Sequence, residues 1–176
     1  MKIISTKFSG LKIIQSRCYR DNRGLFKENF KKKYFKNKNF VFWCMSSSKK
    51  NVIRGLHIQK KMQQDKLVFV IKGKIFDLVV DLRKNSKTYG KKFSITLSDK
   101  NAKSLFIPAG FAHGFCGLEK ENIVLYGCTN YRSKKDEIGI LLNDNDLKIN
   151  WPVKRPIISS KDKKNISFHS FKKKFR

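Results

Sequence analysis

The chain predicts an all-β fold, a jelly-roll β-barrel or β-sandwich with few short helices. Short strand-like runs recur through 176 residues, turn signals separate them at regular spacing, and helical periodicity is nearly absent. The first run is 10–15. A short, weakly amphipathic helix is expected over 28–36. An aromatic-rich strand follows at 40–45. The stretch Ile53-Arg54-Gly55-Leu56-His57-Ile58-Gln59 reads as strand and turn. Runs 66–71 and 74–82 flank Lys72-Gly73, which reads as a hairpin-like turn. In the second of these, Ile75, Asp77, Val79 and Asp81 share one face, and Phe76, Leu78, Val80 and Leu82 share the other. Further strands are expected at 92–97, 104–107, 114–118 and 123–129. With no internal repeat or linker, 1–162 reads as one domain. The lysine-rich end, 163–176, reads as a basic tail that frays.

Composition narrows the function. A hydrophobic fraction of 40% and 15 phenylalanines describe a globular chain with a sizeable core. The net charge of +28 would suit a polyanion, but 33 of the 41 basic residues are lysines spread from Lys2 to Lys174, the pattern of a solvated surface. The expectation is therefore no nucleic-acid partner, although a small anionic metabolite would gain from this field. Cys18, Cys44, Cys116 and Cys128 make no Cys-x-x-Cys pair, so neither a zinc knuckle nor a redox motif is written. The N-terminus has no apolar signal region, and no run of about 18 apolar residues could span a bilayer. A cytoplasmic protein with reduced thiols and no membrane association is expected.

The chemistry concentrates around two histidines. His57 lies in Arg54-Gly55-Leu56-His57 and His113 in Pro108-Ala109-Gly110-Phe111-Ala112-His113-Gly114-Phe115. Histidine exchanges protons near neutral pH, and two of them on separate strands at a barrel mouth suggest a proton-transfer site. Both are candidate bases. Arg23, Arg54 and Lys66 are candidate anion contacts, Tyr126 a candidate acid, and Asp77 and Asp162 candidate carboxylates that orient an imidazole. A metal site would need a cluster such as His-x-His, and position 59 is Gln, so no bound metal is expected.

An ordered set of motifs spans nearly the whole chain. It comprises Asp21-Asn22-Arg23-Gly24 with Phe26 and Glu28, Arg54-Gly55-Leu56-His57 with Gln59, Lys66-Leu67-Val68, and Phe76-Asp77 with Val80-Asp81-Leu82-Arg83. It continues with Ser86-x-Thr88-Tyr89-Gly90, the His113 segment, Tyr126, Asn143-Asp144, Trp151-Pro152 and Ser159-x-Lys161-Asp162. The set resembles the dTDP-4-dehydrorhamnose 3,5-epimerase family of metal-free, cupin-like jelly-roll barrels. That resemblance implies a nucleotide-linked 4-keto-6-deoxyhexose substrate, inverted at C3 and C5 through an enolate, without cofactor or metal. It implies that His57 is the base with Asp162 as its dyad partner, Tyr126 the opposing acid and Lys66 the enolate stabiliser. It implies His113 beside the sugar, held by Asp77, with Gln59 and Tyr131 among the substrate contacts. Arg54 and Arg23 would meet the diphosphate, with Phe26 and Glu28 near the nucleotide. It further implies a homodimer in which the N-terminal segment reaches the partner's site.

The chain also departs from the family pattern. Phe42-Trp43-Cys44 stands where the family commonly has a polar Gln-x-Asn pair, and Arg132-Ser133 replaces an aromatic-proline step. Lys87 and Leu142 depart at positions that look peripheral. These changes leave open which nucleotide and sugar are bound. They also leave open a single-centre epimerase, a 3,4-ketoisomerase, or a non-catalytic binder of sugar nucleotides or polyanions.

Overall fold

Side chains alternate across a strand, and in this protein both faces of the central strands are buried. The computed structural model describes residues 1–175. Its strands are β1 (Lys2–Ser5), β2 (Lys12–Gln15), β3 (Cys18–Asp21), β4 (Gly24–Lys27), β5 (Phe42–Lys49), β6 (Val52–Gln59) and β7 (Lys66–Lys72). They continue as β8 (Lys74–Asp81), β9 (Lys92–Ser98), β10 (Lys103–Ile107), β11 (Phe111–Gly117), β12 (Glu121–Cys128), β13 (Glu137–Gly139) and β14 (Ile157–Ile158). One sheet has the order β1-β2-β10-β7-β12-β5 and the other β13-β6-β11-β8-β9, with β14 parallel on β6. Val68, Val70, Leu105 and Val124 of the first sheet pack with Ile75, Val79, Leu97, Phe111 and Phe115 of the second, so the inter-sheet core is that of a jelly roll.

The predicted faces of β8 hold. Ile75 and Val79 enter the inter-sheet core, and Leu78, Val80 and Leu82 enter a second cluster on the far side of the same sheet. That second cluster needs a cover, and the C-terminal segment supplies it. The tail does not fray over 168–175: it forms the helix α1 (Phe168–Phe175), with Phe168 and Phe171 buried against Ile58, Leu82 and Leu142. Phe168, Phe171 and Phe175 recur at i, i+3 and i+7, one helical face, while Lys172–Lys174 crowd the last turn near the negative end of the helix dipole. Ser167 Oγ accepts the Ser170 N–H at 3.1 Å, and Asp144 Oδ2 accepts the Phe168 N–H at 2.7 Å.

Two further expectations change. The helix expected over 28–36 is only a 3₁₀ turn, Lys32–Phe35, with no acidic residue to offset its lysines. Its Phe35 is buried among Phe30, Phe40 and Phe106 outside the first sheet. Lys72-Gly73 is not a hairpin. β7 pairs with β10 and β12, whereas β8 pairs with β9 and β11, so the turn carries the chain from one sheet to the other. Gly73 has φ +83°, and a Cβ there would run into the Glu121 carbonyl oxygen.

The loop after β8 is held by one buried carboxylate. Asp81 accepts hydrogen bonds from Arg83 Nε at 2.9 Å and Nη2 at 2.7 Å, and from Ser86 Oγ and Thr88 Oγ1, each at 2.6 Å. Burial alone would raise the pKa of Asp81, but these donors outweigh it and hold the value down at about 2. A depressed folded pKa contributes stability that is present above the unfolded value of 3.8 and is lost as pH falls through about 2. Asp81→Asn is predicted to lower stability by roughly 2 kcal/mol at pH 6, with the deficit shrinking between pH 4 and pH 2. Urea titrations of both proteins across that range check this, and a pH-independent difference would refute it.

Candidate active site

A cavity of about 670 Å³ opens between the two sheets, lined by β5, β7 and β12 on one wall and β6 and β11 on the other. Alternation selects its residues. The inner face of β5 carries Phe42, Cys44, Ser46 and Ser48, that of β12 carries Tyr126 and Cys128, and β7 begins with Lys66. β6 breaks strict alternation. His57 pairs with His113 and Arg54 with Phe115, so three steps on β6 match two on β11. This bulge turns both Arg54 and His57 toward the cavity. Gly55 permits it, because with φ +117° a Cβ there would meet Gly114 Cα at 2.6 Å and the His113 carbonyl oxygen at 2.7 Å.

His57 and Asp162 come together. His57 Nε2 lies 2.6 Å from Asp162 Oδ1, and Asp162 Oδ2 accepts the Gly55 N–H at 3.4 Å. Burial would raise the Asp162 pKa, but the bond and charge of His57 and the Gly55 N–H outweigh it and lower the value. One imidazole nitrogen is thus committed to a carboxylate and the other is left for proton exchange. His57 keeps 26% of its side-chain surface exposed, whereas Asp162 keeps 5%. The second histidine is paired likewise, His113 Nε2 to Asp77 Oδ2 at 2.9 Å, with both groups buried.

Tyr126 faces this pair from the other sheet. Its Oη is 2.9 Å from Ser46 Oγ, and its ring meets His113 edge-on with centroids 6.3 Å apart. Burial pushes its pKa up, only partly offset by the Ser46 bond, so the phenol holds its proton. Desolvation lowers the pKa of Lys66, opposed by the nearby Cys128, Glu137, Cys44 and Asp77. Arg54 spends two of its five N–H donors on Ser48 Oγ and the Ser47 carbonyl, both at 2.9 Å.

Other expected residues lie apart. Arg23 pairs with Asp21 at 2.7 Å on an exposed hairpin, Phe26 is 65% exposed, and Glu28 pairs with Lys31. None of the three lines the cavity of its own chain. Tyr131 is exposed and packs its ring on that of Phe42, which does line it. Gln59 lines the cavity, but its amide donates to the carbonyls of Met62 and Tyr131 and accepts the Ser133 N–H, so it holds the 131–133 turn. Residues missed by the sequence reading include Ser46 and Ser48, which share the parity of Phe42 and Cys44 on β5. Arg132 and Lys161, present in the sequence pattern but not read there as site residues, are both bound to Glu137, whose side chain is buried. Burial acts to raise the Glu137 pKa, but these two cations overcome it and hold the value at about 2. Among the described residues no three His, Cys, Asp or Glu side chains are grouped to hold a metal ion.

A jelly-roll barrel that sets a histidine–carboxylate pair against a tyrosine and a desolvated lysine defines a cupin-like isomerase that moves protons at carbon. The sequence model described as dTDP-4-dehydrorhamnose 3,5-epimerase matches residues 5–170. Relatives of that name from Methanothermobacter thermautotrophicus and Shigella flexneri are 44% and 42% identical, covering 92% of this chain and 91% and 93% of theirs. The structure of a dTDP-6-deoxy-D-glucose-3,5-epimerase from Legionella pneumophila Philadelphia 1 superposes with a TM-score of 0.91 at 38% identity, covering 96% of this chain and 93% of that one. The chain belongs to the dTDP-4-dehydrorhamnose 3,5-epimerase family.

If Asp162 orients His57, Asp162→Asn is predicted to lower kcat by roughly 10²–10⁴-fold with KM and melting temperature little changed. Steady-state kinetics beside a thermal melt tests this. An unchanged kcat would make the pair structural.

Proposed function

We infer that the chain is a 3,5-epimerase of a dTDP-linked 4-keto-6-deoxyhexose in deoxysugar biosynthesis. The observation that carries this is the placement of His57 and Tyr126 on opposite walls of one cavity, with Lys66 beside them. The similar Legionella structure is a complex with dTDP-4-keto-L-rhamnose, and one from Bacillus anthracis, 40% identical, has TDP and PPi bound. Both names fit a site rich in cations.

The chemistry follows from the substrate's carbonyl. The C4 ketone acidifies the hydrogens on C3 and C5. His57, oriented by Asp162, takes one of them. The electron pair moves into an enolate whose oxygen the Lys66 ammonium stabilises, a charge fixed in place before the reaction. Tyr126 returns a proton on the opposite face, inverting the carbon, and the cycle repeats at the other centre. Arg54 holds a phosphate through its remaining guanidinium donors. His113, fixed by Asp77, packs beside the sugar.

Arg23, Phe26 and Glu28 act in the site of a second copy. In support, the β3–β4 hairpin exposes Tyr19 and Phe26, paired across it, away from the cavity of its own chain. On this reading the protein is a homodimer. Four free cysteines suit a reducing cytoplasm, and among the described residues no helix is long and apolar enough to cross a membrane.

Proton NMR in deuterated water with the dTDP-4-keto sugar tests the function. Deuterium is expected at both C3 and C5, whereas exchange at one centre alone would mark a single-centre epimerase and no exchange a binding protein. Tyr126→Phe is predicted to keep exchange while losing net inversion. Equal loss of both, or of neither, would remove Tyr126 as the acid.

A further inference from the structure

The cavity wall carries two thiols that the epimerisation chemistry does not use. β5 and β12 are antiparallel, with Cys44 opposite Tyr126 and Phe42 opposite Cys128. Cys44 and Cys128 are therefore diagonal neighbours on one face of adjacent strands. Both line the cavity. Cys128 is buried and Cys44 half-buried. On its other side Cys128 pairs with Lys66 of β7. The remaining cysteines stand apart: Cys18 is on the β3–β4 hairpin, and Cys116 is buried in the far cluster of β11, where burial raises its pKa to about 11.

We propose that Cys44 and Cys128 form an oxidisable dithiol, a modification site at which a peroxide joins the two sulfurs and stops turnover. It rests on the reading of this cavity as the active site. The Cys44 thiolate attacks one oxygen of hydrogen peroxide and breaks the O–O bond. Cys44 becomes a sulfenic acid, and the departing hydroxide takes a proton to give water. The Cys128 sulfur then attacks the Cys44 sulfur, the S–O bond breaks, and the hydroxyl leaves as water with the Cys128 proton. The dithiol loses two electrons and the peroxide becomes two waters. Cys44 is the attacking sulfur for a physical reason. It is the more exposed of the two, and the neighbouring Cys128 thiol, with the charges of Lys66 and Arg132, outweighs the cost of burial and lowers its pKa. The Cys44 partner and burial drive the Cys128 pKa up, so it keeps its proton until the second step.

The geometry also says why the bridge would matter. A disulfide spans at most about 6.8 Å between Cα atoms, and diagonal neighbours usually stand about 7–8 Å apart. Closing the bond needs β5 to shift along β12, with which it pairs over its whole length. As the edge strand of its sheet, β5 has no strand on its outer side to oppose that shift. Ser46, which bonds Tyr126, and Ser48, which bonds Arg54, would move with it.

The test treats the full-length protein with hydrogen peroxide, then maps peptides by mass and measures C3 and C5 exchange. A Cys44–Cys128 linkage lighter by two hydrogens is expected. Exchange should fall about 10²-fold, the scale for an ångström of misplacement, and a thiol reductant should restore it. Each variant is compared with its own untreated rate: Cys44→Ser should resist peroxide, and Cys128→Ser should accumulate a dimedone-trapped sulfenic acid without a bridge. Oxidised protein lacking that linkage, or linked protein with unchanged exchange, overturns the proposal. The linkage is read by mass whether or not the protein turns over. A protein that forms it but never exchanges substrate hydrogens would therefore refute the epimerase reading and leave the dithiol standing.

Discussion

At Gly55 and Gly114, β6 and β11 approach so closely that neither residue can carry a side chain. A Cβ on Gly114 would meet the Arg54 carbonyl oxygen at 2.7 Å, as one on Gly55 would meet Gly114 Cα. The bulge centred on this contact lets Arg54 and His57, three residues apart, face the same cavity. The same contact brings the Gly55 N–H to Asp162 while His57 reaches the other carboxylate oxygen. A side chain at either glycine would part β6 from β11 and displace His57, its Asp162 partner and Arg54 together.

Four polar side chains of the candidate site are each held by a neighbouring side chain. Asp162 holds His57, Asp77 holds His113, Ser46 holds Tyr126 and Ser48 holds Arg54. Low dielectric makes such bonds strong when complete and costly when broken. Sheet pairing adds rigidity, since His57 is opposite His113 and Tyr126 is opposite Val68 of β7, two residues from Lys66. The two walls are bound to each other by the apolar core around Phe115 and Val79, so the separation of His57 and Tyr126 is set by core packing.

Legibility in the sequence followed the range of the forces involved. Alternation along 74–82 assigned Ile75 and Leu78 to opposite faces correctly because period two is local. It did not show that both faces are buried, since the cover for Leu78 and Val80 comes from Phe168 and Phe171, some 90 residues later. That same distance hid α1, whose three phenylalanines were outvoted by adjacent lysines. Lys72-Gly73 carries a hairpin's residues but a crossover's pairing, and pairing is a property of the whole sheet. At the site, His57, Asp162, Tyr126, Lys66 and Arg54 converge on one cavity. Arg23 and Phe26 do not, because a single chain leaves their hairpin outside.

The net charge of +28 and the buried Glu137 bear on one problem, how to capture a diphosphate without gripping it too tightly. A strongly positive surface raises encounter rates with an anion, and the effect fades within about 8 Å at physiological salt. Inside that range, local charges decide binding. Arg132 and Lys161 line the cavity, but both are bound to Glu137, which stays ionised down to about pH 2. Their charges are therefore largely compensated before any ligand arrives. Arg54 has only neutral oxygens as partners, Ser48 Oγ and the Ser47 carbonyl, so its full positive charge remains for an incoming phosphate. A guanidinium oriented by neutral groups, beside cations already matched to a carboxylate, confines the strongest attraction to one spot of the cavity. Under the proposed function, that arrangement serves to orient the sugar toward His57 and Tyr126 instead of merely concentrating it.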